Sequence, residues 1–161
     1  NDVYAESLSL KSSDLVLDNQ SIYFSNNRNE FYSIDVNSGT IRWKQKINSS
    51  IRPTIIGNTI ITITQNGFLI IIDKISGNIV RITDIFEFIK EKKRKEISPV
   101  GFIVGSKYIY ATISNGRIVI INITSGKYEK IIKIDGNKIS KPFVFKNNLF
   151  IVKDSAIIQF D

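Results

Sequence analysis

The residues best equipped for chemistry in this chain are its regularly placed acids and amides. Asp35, Asp73, Asn122 and Asp161 recur in one local setting, the first three four residues before Gly39, Gly77 and Gly126 in "YSIDVNSGTI", "IIIDKISGNI" and "VIINITSGKY". Asp161 ends "IIQFD" at the same place in a fourth copy. Carboxylates that converge can act as acid and base or hold a hard cation. These sit one per repeat, each beside its own turn, so they read as turn braces rather than as one shared site. The remaining inventory points the same way. The sequence has no His and no Cys, which removes the commonest general base, the thiol nucleophile and the usual soft metal ligands. No catalytic, cofactor-binding or metal-binding residue is expected.

The cations are the second candidate. Lys and Arg number 22 against 15 acids, giving a net charge of +7 and a pI near 9.6. They concentrate in "TDIFEFIKEKKRKEIS", with Lys90, Lys92, Lys93, Arg94 and Lys95 in succession, and Arg28 and Arg117 mark two loop tips. Two readings fit: a solvated face of a packed elbow, or a contact for a protein partner or anionic head groups. Nucleic acid is not expected, because no aromatics interleave with the basic run to stack bases. Thr83 as N-cap, Asp84 in the first turn and an apolar Ile85, Phe86 and Ile89 stripe predict a short helix here.

The elements that must carry these residues are strands. β-branched runs such as "FLIII" favour sheet over helix. The anchors at 35, 73, 122 and 161 are spaced by 38, 49 and 39 residues. Removing the charged insertion at 84–97 restores a period of roughly 39, near that of a four-stranded propeller blade. Upstream of each anchor, strand, polar turn, strand, polar turn and strand repeat, with Asn66-Gly67 and Asn115-Gly116 as hairpin turns. A fourth strand follows each Ser-Gly turn. The predicted fold is all-β, a β-propeller of four-stranded antiparallel blades over residues 12–50, 51–97 (with the insertion), 98–139 and an incomplete 140–161.

The first copy, "FYSIDVNSGTIRWKQKI", resembles the PQQ-type β-propeller repeat, whose hallmark is Ala-x-Asp-x-x-Thr-Gly-x-x-x-Trp. Ser33, Asp35, Ser38, Gly39 and Trp43 occupy the five marked places. The later copies keep Asp73, Ser76 and Gly77, then Asn122, Ser125 and Gly126, but carry Arg81 and Lys130 where the Trp belongs. The resemblance implies that Trp docks on a neighbouring blade while the acid and hydroxyl brace the turn. It also implies that docking is degenerate at Arg81 and Lys130.

Within that family the chain looks most like the non-catalytic BamB branch. That likeness implies a periplasmic scaffold of outer-membrane β-barrel assembly, held near the membrane by a lipid anchor outside this chain and working through protein partners. The family's other branch, the quinoprotein dehydrogenases with pyrroloquinoline quinone and Ca²⁺, is the alternative; a generic interaction propeller is a third. No apolar run approaches the roughly 20 residues of a membrane-spanning helix. Four blades leave two apolar faces open, which demand cover. The expectation is the C-terminal part of a propeller of about seven or eight blades, with self-association of exposed blades as another way to cover them.

Overall fold

The structure, a computed structural model, describes residues 12–160. Asp161, the fourth anchor, lies outside the described residues. Four antiparallel sheets follow one another along the chain. The first holds β1 (Val16–Asp18), β2 (Ser21–Asn26), β3 (Glu30–Asp35) and β4 (Ile41–Gln45). The second holds β5 (Thr54–Ile56), β6 (Thr59–Ile63), β7 (Phe68–Asp73) and β8 (Ile79–Asp84). The third holds β9 (Pro99–Val104), β10 (Tyr108–Ile113), β11 (Arg117–Asn122) and β12 (Tyr128–Lys133). The fourth has three strands, β13 (Phe143–Phe145), β14 (Asn148–Lys153) and β15 (Ala156–Phe160). Each sheet is a simple meander in chain order, as in a propeller blade, and the array is not closed into a ring.

The repeat extends to irregularities. The third and fourth strands of each complete blade slip register at one place, between Ser33 and Ile34, Ile71 and Ile72, and Ile120 and Ile121. The residues just past that bulge, Trp43, Arg81 and Lys130, pair with Ser33, Ile71 and Ile120 respectively. A bulge twists the outer strand and re-aims its side chains, here toward the next blade.

No blade has a core of its own. Apolar side chains are buried in three seams, each between consecutive sheets. Tyr23, Phe31 and Ile47 meet Ile60, Ile70 and Ile72 in the first. Ile61, Ile63 and Leu69 meet Ile109, Ala111, Val119 and Ile121 in the second, and Ile118 meets Leu149 and Ile151 in the third. Full burial of one such side chain stabilises by about 1.5–3 kcal/mol, so stability resides in nearest-neighbour contacts, as in other repeat arrays.

The insertion differs from its sequence reading. Thr83 and Asp84 do not start a helix; they finish β8, and the only helix among the described residues is the single turn α1 (Glu91–Arg94). Thr83 is held in the strand because its hydroxyl donates to the Gly126 carbonyl of the next blade at 2.8 Å. The Asp84 carboxylate instead accepts the Phe86 amide at 2.8 Å and receives Arg94 at 2.7 Å. Ile85, Phe86 and Ile89 are buried in the second seam through this turn rather than along a helical stripe. Phe86 lies over Gly67, where a Cβ would come within 2.3 Å of the ring.

Candidate functional site

Two constellations of sequence-marked residues emerge: clasps that join blades, and a basic rim. The clasps begin at the Ser-Gly turns. Asp35 accepts the amides of Asn37 and Ser38, at 3.0 and 2.9 Å, and the Ser38 hydroxyl at 3.0 Å. Arg42 also pairs with it. In the second blade Asp73 accepts the amide and hydroxyl of Ser76, both at 2.8 Å. In the third, Asn122 accepts the Thr124 and Ser125 amides at 2.9 Å. Gly39, Gly77 and Gly126 complete the turns at φ of 69°, 74° and 72°, and each donates its amide to the anchor's carbonyl. This left-handed conformation strains any residue with a Cβ.

Those hydrogen bonds favour charged carboxylates. The Ser38 amide, the Ser38 hydroxyl and Arg42 hold Asp35 down to about 2, and the Ser76 amide and hydroxyl lower Asp73. Nearby, Lys44 and then Asn26 bring Glu30 down to about 2. Each carboxylate serves its own blade. Among the described residues no three Asp or Glu converge where they could hold a metal ion.

Each turn is also a floor for the preceding blade. The Trp43 indole covers Gly77, where a Cβ would sit 2.6 Å from the ring, and its N–H donates to the Lys74 carbonyl at 3.0 Å. On its other side Trp43 stacks with Phe31 at 5.8 Å between ring centres. Gln45 adds a hydrogen bond to the Gly77 carbonyl at 2.7 Å. One blade on, Arg81 reproduces the arrangement. Its stem covers Gly126, and its guanidinium donates to the Ile123 and Thr124 carbonyls at 3.0 and 2.9 Å. Thr83 takes the place of Gln45. The inferred degeneracy at Arg81 is therefore corrected: the side chain changed and the docking stayed, because the position requires a flat or straight body over glycine with a donor at its end. Lys130 is exposed, with no such contact among the described residues. Ser33, opposite Trp43, is fully buried and its hydroxyl has no partner.

The second constellation lies at the opposite end of the blades from the Ser-Gly turns. The hairpin turns between second and third strands, and the connections between blades, share that end. It therefore carries Arg28, the 84–97 insertion and Arg117 together. A groove of about 520 Å³ between the insertion and the third blade is lined by Phe88, Lys90, Lys93, Glu96, Asn115 and Arg117, among others. Lys92 and Lys95 are exposed beside it. None of Arg28, Lys90, Lys92, Lys93, Lys95 or Arg117 forms an ion pair among the described residues. Arg94 is different: it is committed to Asp84 and to the Ile89 carbonyl, and so fastens the insertion. The juxtaposition of Arg117 with Lys90 and Lys93 was invisible in the sequence, where more than twenty residues separate them.

These features define the chain as an array of PQQ-type propeller blades, clasped in series. The family described as outer membrane protein assembly factor BamB matches residues 2–83, just over half of the sequence, and the chain belongs to that family. Solved structures share the fold. BamB from Moraxella catarrhalis superposes with a TM-score of 0.73 at 13% identity, covering 91% of this chain and 41% of that one. Sqt1 from Saccharomyces cerevisiae gives 0.76 at 12% identity, covering 92% and 45%. The computationally designed Ika4 protein gives 0.70 at 8% identity, covering 94% and 90%. The chain thus spans less than half the length of BamB and Sqt1. Comparison with curated proteins finds no match.

Proposed function

We propose that this chain is a non-catalytic propeller scaffold, acting in the periplasm beside the outer membrane, that binds protein components of β-barrel assembly through its basic rim. Family membership supports the class of role. The observation that carries the rim assignment is the set of cations left without carboxylate partners around one groove, where a partner's acidic segment would find charge-assisted hydrogen bonds. Arg28 extends the same rim on the first blade. Pairing of exposed strand edges with extended segments of clients is a second mode open to such a scaffold.

The test is co-purification of the purified outer-membrane insertion barrel, with its periplasmic domains, by this protein. Alanine at Lys90, Lys93 and Arg117 should lower its affinity at least tenfold while leaving the unfolding midpoint in place. Retained affinity would remove the rim from the mechanism. A parallel incubation with pyrroloquinoline quinone and Ca²⁺ should give no dye-linked oxidation of alcohols; oxidation would establish the dehydrogenase alternative instead.

A further inference from the structure

The outer two strands of each complete blade form a wall on the face turned toward the preceding blade, and its chemistry differs from blade to blade. In the third blade Ile131 and Tyr128 lie there, opposite Val119 and Ile121, with Arg117 two residues before Val119. The insertion covers this wall. Phe88 meets Tyr128 edge-on at 6.4 Å between ring centres, and Phe88 and Ile131 pack against the core of the second seam. In the first blade the same places hold Lys44 and Ile41, opposite Tyr32 and Ile34, with Glu30 two residues before Tyr32. Lys44 pairs with Glu30 at 2.6 Å and lies over the Tyr32 ring, so this wall carries an ion pair.

The second blade has neither device. Its wall is Ile82 opposite Ile70 and Ile79 opposite Ile72, with Phe68 where the other blades have Glu30 and Arg117. Ile70 and Ile72 are buried against the first blade, at 5% and 0% exposed. Beyond them Ile82 is 56%, Ile79 39% and Phe68 37% exposed. The charges of β8 do not shield this patch: Arg81 is turned onto the third blade, and Asp84 is held by Arg94. The connection after β4, residues 46–53, sends Ile47 into the seam and contains no aromatic residue to play the part of Phe88. The patch lies between two complete four-stranded blades rather than at either end of the array. An apolar patch that continues a buried interface and is left open marks an interaction site.

We propose that the outer wall of the second blade docks a short apolar segment of another protein, one that presents an aromatic side chain. The third blade carries the template for that occupant. Its wall is covered by Ile85-Phe86-Glu87-Phe88-Ile89, in which Ile85, Phe86 and Ile89 are buried in the seam while Phe88 lies against Tyr128 of the outer strand. A partner segment of the same chemistry extends the first seam outward over Ile79, Ile82 and Phe68, continuing an interface the molecule already builds. An aromatic ring suits the place because it buries a large area, and aromatics are enriched at the cores of protein interfaces. The site uses none of the rim cations, so it stands or falls separately from the basic rim.

The probe is a fluorescein-labelled peptide with the chain's own sequence from Thr83 to Lys90, TDIFEFIK, titrated with the 161-residue chain and read by anisotropy. Saturable binding is expected. It should weaken by about tenfold or more for the peptide carrying Phe86→Ser and Phe88→Ser, and equally for the chain carrying Phe68→Glu with Ile82→Lys. That chain variant copies the Glu30 and Lys44 pair of the first blade, so it should fold, as judged by unchanged circular dichroism. Ile82→Lys alone, at a position 56% exposed, gives the same reading should the double variant unfold. No saturation by about 1 mM, or equal affinity for wild type and variant, as when the peptide merely displaces the insertion, overturns the proposal. So does light scattering after size exclusion that gives twice 18.3 kDa for the wild type and not for the variant, since a second copy would then be the occupant.

Discussion

Gly39, Gly77 and Gly126 form a natural experiment on what holds neighbouring blades together. All three sit at nearly the same positive φ, so alanine imposes the same backbone strain at each, about 1–2 kcal/mol. They differ in what lies above them. At Gly39 an added Cβ meets nothing within 4 Å, whereas at Gly77 it would lie 2.6 Å from the Trp43 ring. The indole is pinned by its hydrogen bond to Lys74 and by Phe31, so it cannot retreat without opening the seam. Overpacking of this kind adds about 1–3 kcal/mol. Urea unfolding should therefore show Gly39→Ala losing about 1–2 kcal/mol and Gly77→Ala losing about 2–5 kcal/mol in all. In a Trp43→Ala background the Gly77 penalty should fall to the Gly39 value, a coupling of about 1–3 kcal/mol. Equal losses at the two glycines, or a Gly77 penalty untouched by removing Trp43, would refute the clasp as the element that joins the blades.

Other perturbations read the remaining links. Ser33→Ala removes a buried hydroxyl without a partner and should raise the urea midpoint, by up to about 1–3 kcal/mol of recovered desolvation; a lower midpoint would mean the hydroxyl is satisfied. Acid should weaken the turns in a defined window. The carboxylates of Asp35 and Glu30 sit at about 2 in the fold, and Asp73 is lowered, while unfolded carboxylates titrate near 4. Folding lowers these values, so their stabilisation is present above about pH 4 and is lost as pH falls toward 2. Asp35→Asn with Asp73→Asn should flatten that part of the urea-midpoint profile, since an amide oxygen can brace the turn, as Asn122 does, without titrating. Arg81→Lys should lower the urea midpoint, because the shorter lysine stem ends short of the place where Arg81 Nη1 donates to both the Ile123 and Thr124 carbonyls; an unchanged midpoint would show that charge alone suffices.

The fold was legible because its signals are local and repeated. An anchor, a hydroxyl and a glycine at fixed spacing specify a turn in three copies, and Asn-Gly specifies the hairpin before it in two of them, so the copies outvote any ambiguity in one. The clasp was legible only where its side chain is Trp. At Arg81 the pattern broke although the contact did not, because the floor it meets belongs to residues 42 and 43 positions later in the chain. The insertion misled for a related reason. Thr83 and Asp84 are sound helix-start residues, but a hydroxyl contact to Gly126 and an ion pair with Arg94 claimed them first. Local propensity yields to tertiary partners when those partners are already placed by neighbouring blades.

The Trp43 and Arg81 clasps together show what geometry a seam between blades requires. Glycine at positive φ removes a Cβ from the floor, and the carbonyls that the docking side chain reaches lie two or three residues before it, at Lys74 in one turn and at Ile123 and Thr124 in the next. Any side chain that is flat or extended, and that carries an N–H about one ring's length from the backbone, can then lie on the floor and reach the carbonyl. Indole does this with one donor and much apolar area; guanidinium does it with less area and two donors. The glycine and the bulge are therefore the constrained partners, since one makes the space and the other aims the side chain. Side-chain identity at the docking position is the freer variable. A recognition pattern built on the Trp alone will lose track of blades whose seams are intact, whereas the glycine, its bracing anchor and the register slip remain countable in all three complete blades.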